Sequence, residues 1–238
     1  MSDLYRVTPH FVPRPIGWGP MKDEHKLEVD TWFILFDFIR FRPNTLPSPD
    51  LLAQRVKELH FHPGSVSPTG QFGYPIQTFD GALSQSVAWD PSWPSFFAKL
   101  LRTAAQHDTA RNGPWAALER LLARTVSHLI PRLLGALEDV TPVLIHGDMW
   151  DGNIGVDRVT GQLYVFDCAA YYAHNEMEIG IWYAARHKLS YGGYIDAYLG
   201  QVGRAEPRRE CLDRIRLYSA KTNLMFSACT GNESGRWL

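Results

Sequence analysis

Apolar positions follow two rhythms along this chain. In SPDLLAQRVKELH (48–60), Leu52, Val56 and Leu59 recur on one helical face, Ser48 stands at the cap and Pro49 in the first turn, which predicts a helix. The same period predicts helices near 92–107 and 114–136. The second rhythm is one of short apolar or β-branched runs. TWFILFDFIRF (31–41) reads as a strand that becomes a connector, 142–145 as a buried strand, and 154–156 and 162–166 as two short strands joined by the turn DRVTG. The chain to about Pro15 reads as irregular, GWG (17–19) as a turn, 61–82 as a long Gly/Pro loop, and the part from Glu176 as mostly helical. No internal repeat or low-complexity tract interrupts this order.

Composition narrows the class. The 238 residues are 45% hydrophobic, with a formal net charge of -1, so nothing points to a nucleic-acid surface or an acidic tail. Cys168, Cys211 and Cys229 are scattered and odd in number, which suits a reduced protein without a disulfide framework. The N-terminus has no signal pattern, and the apolar run Trp32–Ile39 contains Asp37 and is too short for a bilayer. A cytoplasmic protein with neither nucleic acid nor membrane as partner is expected. RAEPRRECLDRIR (204–216) interleaves arginines with acids and reads as a solvated helix face. Trp89, Trp93, Phe96 and Phe97 read as core or pocket wall. His60 and His62 read as solvated at a helix end. Phe72 and Tyr74 are assigned either to an acceptor pocket or to surface packing.

Chemistry gathers where the strand 142–145 ends. LIHGDMWDGN runs from apolar residues into His146, Asp148 and, five positions on, Asn153; Asp167 ends a second apolar strand, 14 positions after Asn153. Polar groups at a strand end line a site more often than they are buried without partners. An H-x-D-x-x-x-x-N run, a hairpin and a second Asp form the layout of a phosphoryl-transfer site. There Asp148 accepts the proton of the attacking hydroxyl, while Asn153 and Asp167 offer hard oxygen ligands to Mg²⁺. Two other readings compete with it: polar groups that merely satisfy a turn, and a zinc site of His146, Asp148 and His174, which lacks a close His/Cys spacing.

HGDMWDGN with Trp150, then FDCAAYYAHNEMEIG, SPTGQFGY and WDPSWPSFFAKLL, resemble the fructosamine and ketosamine 3-kinases of the protein-kinase-like superfamily, from about Phe11 onwards. The resemblance implies an α+β protein-kinase-like fold, with a mostly helical large lobe (41–238) and a shortened β small lobe and hinge (1–40). It implies ATP and Mg²⁺ as cofactors, and transfer of phosphate to the 3-hydroxyl of a fructosamine or ribulosamine in a deglycation role. The partner is then a ketosamine-modified protein or a small sugar amine. By the same resemblance Asp148 is the catalytic base, Asn153 and Asp167 are the Mg²⁺ ligands, and Phe36, Asp37 and Phe38 form the hinge that meets the adenine. Trp150, His174 and Glu176 fall on the substrate side. His146 and Glu178 support the catalytic loop, within an acidic stretch that includes His174 and Glu176. Cys168 stands where that family has proline, and Ala173 where it has glycine. About thirty residues precede the hinge, with no glycine-rich loop and no phosphate-binding lysine; Lys22 and Lys26 read as part of a solvated hairpin. Slow or absent turnover by the isolated chain is therefore expected. Two rival readings remain: a small-molecule hydroxyl kinase similar to the aminoglycoside or choline enzymes, and an inactive homologue that binds a sugar amine or a protein.

Overall fold

The computed structural model describes residues 1–21 and 31–231; Lys22 and Lys26 lie outside the described residues. The elements run α1 (Ser2–Val7), β1 (Pro15–Pro20), β2 (Trp32–Phe36), α2 (Pro49–Phe61), β3 (Phe79–Asp80), β4 (Leu83–Ser84), α3 (Trp93–Asn112), α4 (Ala116–Arg124) and α5 (Ile130–Leu134). There follow β5 (Val143–Ile145), β6 (Ile154–Val156), β7 (Leu163–Val165), β8 (Tyr171–Ala173), a 3₁₀ segment (Asn175–Tyr183), α6 (Tyr194–Val202) and α7 (Cys211–Thr230). A π-helical turn (Thr125–Leu129) joins α4 to α5, so the helix expected over 114–136 is one nearly continuous rod.

The small sheet β5–β8 divides the hydrophobic interior. Its antiparallel register pairs Val143 with Ala173, Leu144 with Tyr172 and Ile145 with Tyr171. Side chains alternate between the faces of a strand. Leu144 and Tyr172 accordingly enter a core shared with α1, α2 and α6, while Val143, Ile145, Tyr171 and Ala173 enter a second core with α3, α5 and α7. A strand buried on both faces reads as an unbroken apolar run, which is why VLI was visible in the sequence. Trp93, Phe96 and Phe97 are buried in the second core, and half-buried Trp89 stacks on Tyr172 at 5.9 Å.

Four local expectations are corrected by packing. The N-terminal stretch includes α1, whose Leu4 and Val7, with Phe11 and Val12 beyond it, lie fully within the first core. GWG is strand and not turn: Gly17, Trp18 and Gly19 pair with Leu35, Ile34 and Phe33, after a bulge at Pro15/Gly17. His60 is 0% exposed and bonds through Nδ1 to the Tyr198 hydroxyl at 2.8 Å, because α2 ends against α6; His62 is exposed and accepts from Gly64 N. Arg214 is also 0% exposed, so the Arg-rich stretch is solvated on one side only. The loop 61–82 contains the start of the β3–β4 hairpin. Phe72 is buried against Trp93, and the Tyr74 hydroxyl donates to Asp3 at 2.5 Å.

Candidate active site

Past the end of β5 the chain turns sharply at Gly147, where φ is +81° and a Cβ would fall 2.4 Å from the Ala169 carbonyl oxygen. Only glycine tolerates both conditions. The turn is held from below by Glu178, which accepts hydrogen bonds from His146 N (2.5 Å) and Gly147 N (3.0 Å). Burial alone would raise this carboxyl; the His60 imidazole, with Nε2 3.5 Å away, and the bond from the His146 backbone outweigh it and hold the group below its ordinary value. His146 is fully buried, and burial keeps its imidazole in the neutral form. Its Nε2–H donates to the Phe166 carbonyl (2.9 Å) and its Nδ1 accepts from Asp148 N (3.3 Å). The ring thus ties the strand before Asp167 to the loop that carries Asp148.

Asp148, Asn153 and Asp167 meet. The Asn153 amide donates to the Asp148 carbonyl (2.9 Å), to Asp148 Oδ2 (2.9 Å) and to the Asp167 carbonyl (3.3 Å). Its amide nitrogen is therefore spent, and its oxygen accepts no bond among the described residues. Asp167 is exposed and holds φ +59°, a conformation that side chains other than glycine rarely adopt and that clusters at functional sites. No side-chain bond engages its carboxylate among the described residues. An uncommitted amide oxygen and an uncommitted carboxylate are donors of the kind Mg²⁺ takes, since it uses few protein oxygens and shares the rest of its shell with water and phosphate. Among the described residues no group of three or more His, Cys, Asp or Glu side chains is placed to hold a metal ion, and His146 and His174 are both bonded elsewhere, so the zinc reading has no ligand set.

The Asp148 carboxyl is pushed up to about 7, first by burial and then by Asp80 and Asp167, against Lys221 and the Asn153 bond. This lies where a general base is most effective near neutrality. Sequence reading missed three groups of this surrounding. The buried Lys221 ammonium on α7 donates to Asp80 (2.9 Å) and Gln85 (2.7 Å). Arg186 stacks on Phe226 at 4.3 Å and bonds to Asn223. A lysine inside the otherwise buried face of YSAKTNLM was the available signal for the first; nothing local marks Asp80 or Arg186.

The remaining expected residues divide. A cleft of about 690 Å³ is lined by Trp18, Ile34, Phe36, Tyr74, Phe166 and Asp167, among others, so Phe36 shares a cavity with Asp167. Asp37 instead pairs with Arg14 (3.1 Å), and Phe38 is 86% exposed; neither side chain lines that cleft. Trp150 is half-buried on the catalytic loop and packs against His187. His174 and Glu176, expected on the substrate side, are 3% and 1% exposed. Tyr218, whose hydroxyl accepts from Trp93 Nε1, donates a hydrogen bond to His174 Nδ1 at 2.9 Å. Glu176 holds Arg214 by two bonds, 2.7 and 3.0 Å. Both residues stitch the 3₁₀ segment to α7 beneath the site.

A paired Asp–Asn loop, a second Asp after a hairpin and a helical body belong to a protein-kinase-like fold, and the solved structures that the described fold resembles agree. It superposes on a Thermobifida fusca protein described as a fructosamine-3-kinase with a TM-score of 0.74 at 22% identity, covering 99% of this chain and 73% of that one. On a thermostable mutant of the aminoglycoside phosphotransferase APH(4)-Ia the TM-score is 0.60 at 16% identity, covering 98% and 76%. The fructosamine kinase family model matches residues 1–222, and the chain belongs to that family. The chloroplastic protein-ribulosamine 3-kinase of Oryza sativa subsp. japonica is 31% identical over 212 residues, 88% of this chain and 58% of the relative. The ketosamine-3-kinase of Mus musculus is 37% identical over 151 residues, 62% and 45%. The chain thus spans about half the length of the relatives it matches. No helix among the described residues is long and apolar enough to cross a membrane.

Proposed function

We propose that this chain carries the catalytic lobe of an ATP-dependent ketosamine kinase, which phosphorylates the 3-hydroxyl of a fructosamine or ribulosamine attached to a lysine amine and so serves deglycation. The observation that carries the reading is the single amide of Asn153 bonded to Asp148 and to the Asp167 carbonyl, which brings these three residues together. Asp148 accepts the proton of the 3-hydroxyl; the freed oxygen attacks the γ-phosphorus, the bond to the β–γ bridging oxygen breaks, and ADP leaves. Asn153 Oδ1 and the Asp167 carboxylate would hold Mg²⁺, which neutralises phosphate charge when bound. The hinge backbone at 36–38 would meet the adenine beside the Phe36 ring, and Trp150 would wall the acceptor. Three free thiols suit a cytoplasmic setting. The test is incubation of the protein with Mg²⁺, ATP and fructosyl- or ribulosyl-lysine, with an aminoglycoside as rival acceptor, read by mass gain of one phosphoryl group. Phosphorylation of the sugar amine by the parent and not by Asp148→Asn supports the reading. Equal turnover by both proteins moves the chemistry elsewhere, and saturable sugar-amine binding without any transfer favours an inert homologue.

A further inference from the structure

Trp150 has two close neighbours. One is Gly152, where a Cβ would fall 2.2 to 2.6 Å from three indole atoms, so the ring lies over the loop only because that position carries a hydrogen. The second is the His187 imidazole, with ring centroids 5.3 Å apart and planes inclined by 46°. His187 is 8% exposed, and its Nδ1 faces Asp151 Oδ1 at 3.5 Å. Asp151 is itself fixed by accepting from Lys188 N at 3.0 Å.

Burial, and then the Arg186 charge, hold His187 down to about 4 against the pull of Asp151. Its ring is therefore neutral at physiological pH and carries one proton. The carboxylate on the Nδ1 side places that proton on Nδ1 and leaves a lone pair on Nε2. This Nε2 is buried and has no hydrogen-bond partner among the described residues. Buried polar atoms without partners are rare in folded proteins, and each calls for a reason. We propose that His187 is a specificity-determining residue of the acceptor pocket: its ring holds the Trp150 indole, and its bare Nε2 accepts a hydrogen bond from a hydroxyl or ammonium of the sugar amine. The proposal rests on the ketosamine reading above, since that reading makes Trp150 an acceptor wall.

Two substitutions separate ring from nitrogen. His187→Phe keeps an aromatic face and deletes both ring nitrogens, while His187→Gln keeps a polar tip near the Nε2 position. Binding of fructosyl-lysine to the whole protein is measured by calorimetry, together with KM for both substrates and the melting temperature. His187→Phe should weaken sugar-amine binding about tenfold and leave the KM for ATP unchanged. His187→Gln should regain most of the affinity. A sugar amine lacking the bonded hydroxyl should bind the parent about tenfold more weakly and bind His187→Phe with no further loss, the pattern of a direct contact in a double-mutant cycle. Parent-like binding by His187→Phe overturns the proposal and leaves the ketosamine reading intact. Absence of sugar-amine binding by the parent overturns that reading and the proposal with it.

Discussion

Two antiparallel strand pairs in this protein are built from equally apolar residues and meet opposite fates. In β5–β8, Val143, Leu144 and Ile145 are 6%, 0% and 0% exposed and have a core on each face. In β1–β2, Trp32, Phe33, Ile34 and Leu35 are 64%, 47%, 56% and 52% exposed. The first pair carries the turn that presents Asp148, so its burial fixes the position of that carboxylate. The second borders the cleft through Trp18, Ile34 and Phe36. Its described supports are its own ladder and the Arg14–Asp37 ion pair, and an exposed pair of that kind contributes little. Burial on both faces makes a rigid platform for chemistry; apolar exposure on both faces leaves an edge open to association.

The contrast is tested most severely at its catalytic end. Asp148→Asn keeps shape and removes the proton acceptor, so phosphoryl transfer should fall by about 10² to 10⁴, followed as initial rate with saturating substrates. Ile145→Thr places a hydroxyl in the second core and should cost about 2–3 kcal/mol in urea denaturation. Glu178→Gln leaves one carbonyl-type acceptor for two backbone donors, His146 N and Gly147 N; one is orphaned, at about 1–3 kcal/mol, and turnover should drop as the loop loosens.

The pH dependence follows from the raised Asp148 carboxyl. The base works ionised, so kcat/KM should climb with pH and inflect near about 7. For stability the sign is reversed. A carboxyl raised in the folded state from 3.8 to about 7 favours folding while protonated, and that contribution is lost as pH rises through about 7. Asp148→Asn, neutral throughout, should therefore be more stable than the parent above about pH 8, with the difference fading towards about pH 4. The smallest expected effect is at the exposed pair: Ile34→Thr should change stability by less than about 0.5 kcal/mol while reducing self-association in sedimentation. A cost for Ile34→Thr equal to that for Ile145→Thr would erase the distinction between the two sheets.

The helix of 49–61 was legible because Ser48, Pro49 and a one-sided apolar face are all local signals, and the β6–β7 hairpin was legible because two short apolar runs flank the turn DRVTG. His60, Arg214, His174 and Glu176 were read as solvated or substrate-facing because a polar residue in sequence carries no mark of its partner. Their partners stand at the Tyr198 hydroxyl, the Tyr218 hydroxyl and each other, separated by 38 to 138 positions.

By itself, the sequence determined the helix of 49–61, the buried strand before His146, the loop with Asp148 and Asn153, the second Asp just past a strand, and through these the family. Such features depend on periodicity, on glycine at a positive φ and on side-chain chemistry at fixed short spacing. Only the tertiary structure decided which carboxylates are buried, how Lys221 and Asp80 come to bear on Asp148, and that His187 lies against Trp150. Electrostatic coupling and desolvation depend on distance and on excluded water, and neither exists until segments remote in the chain have packed together.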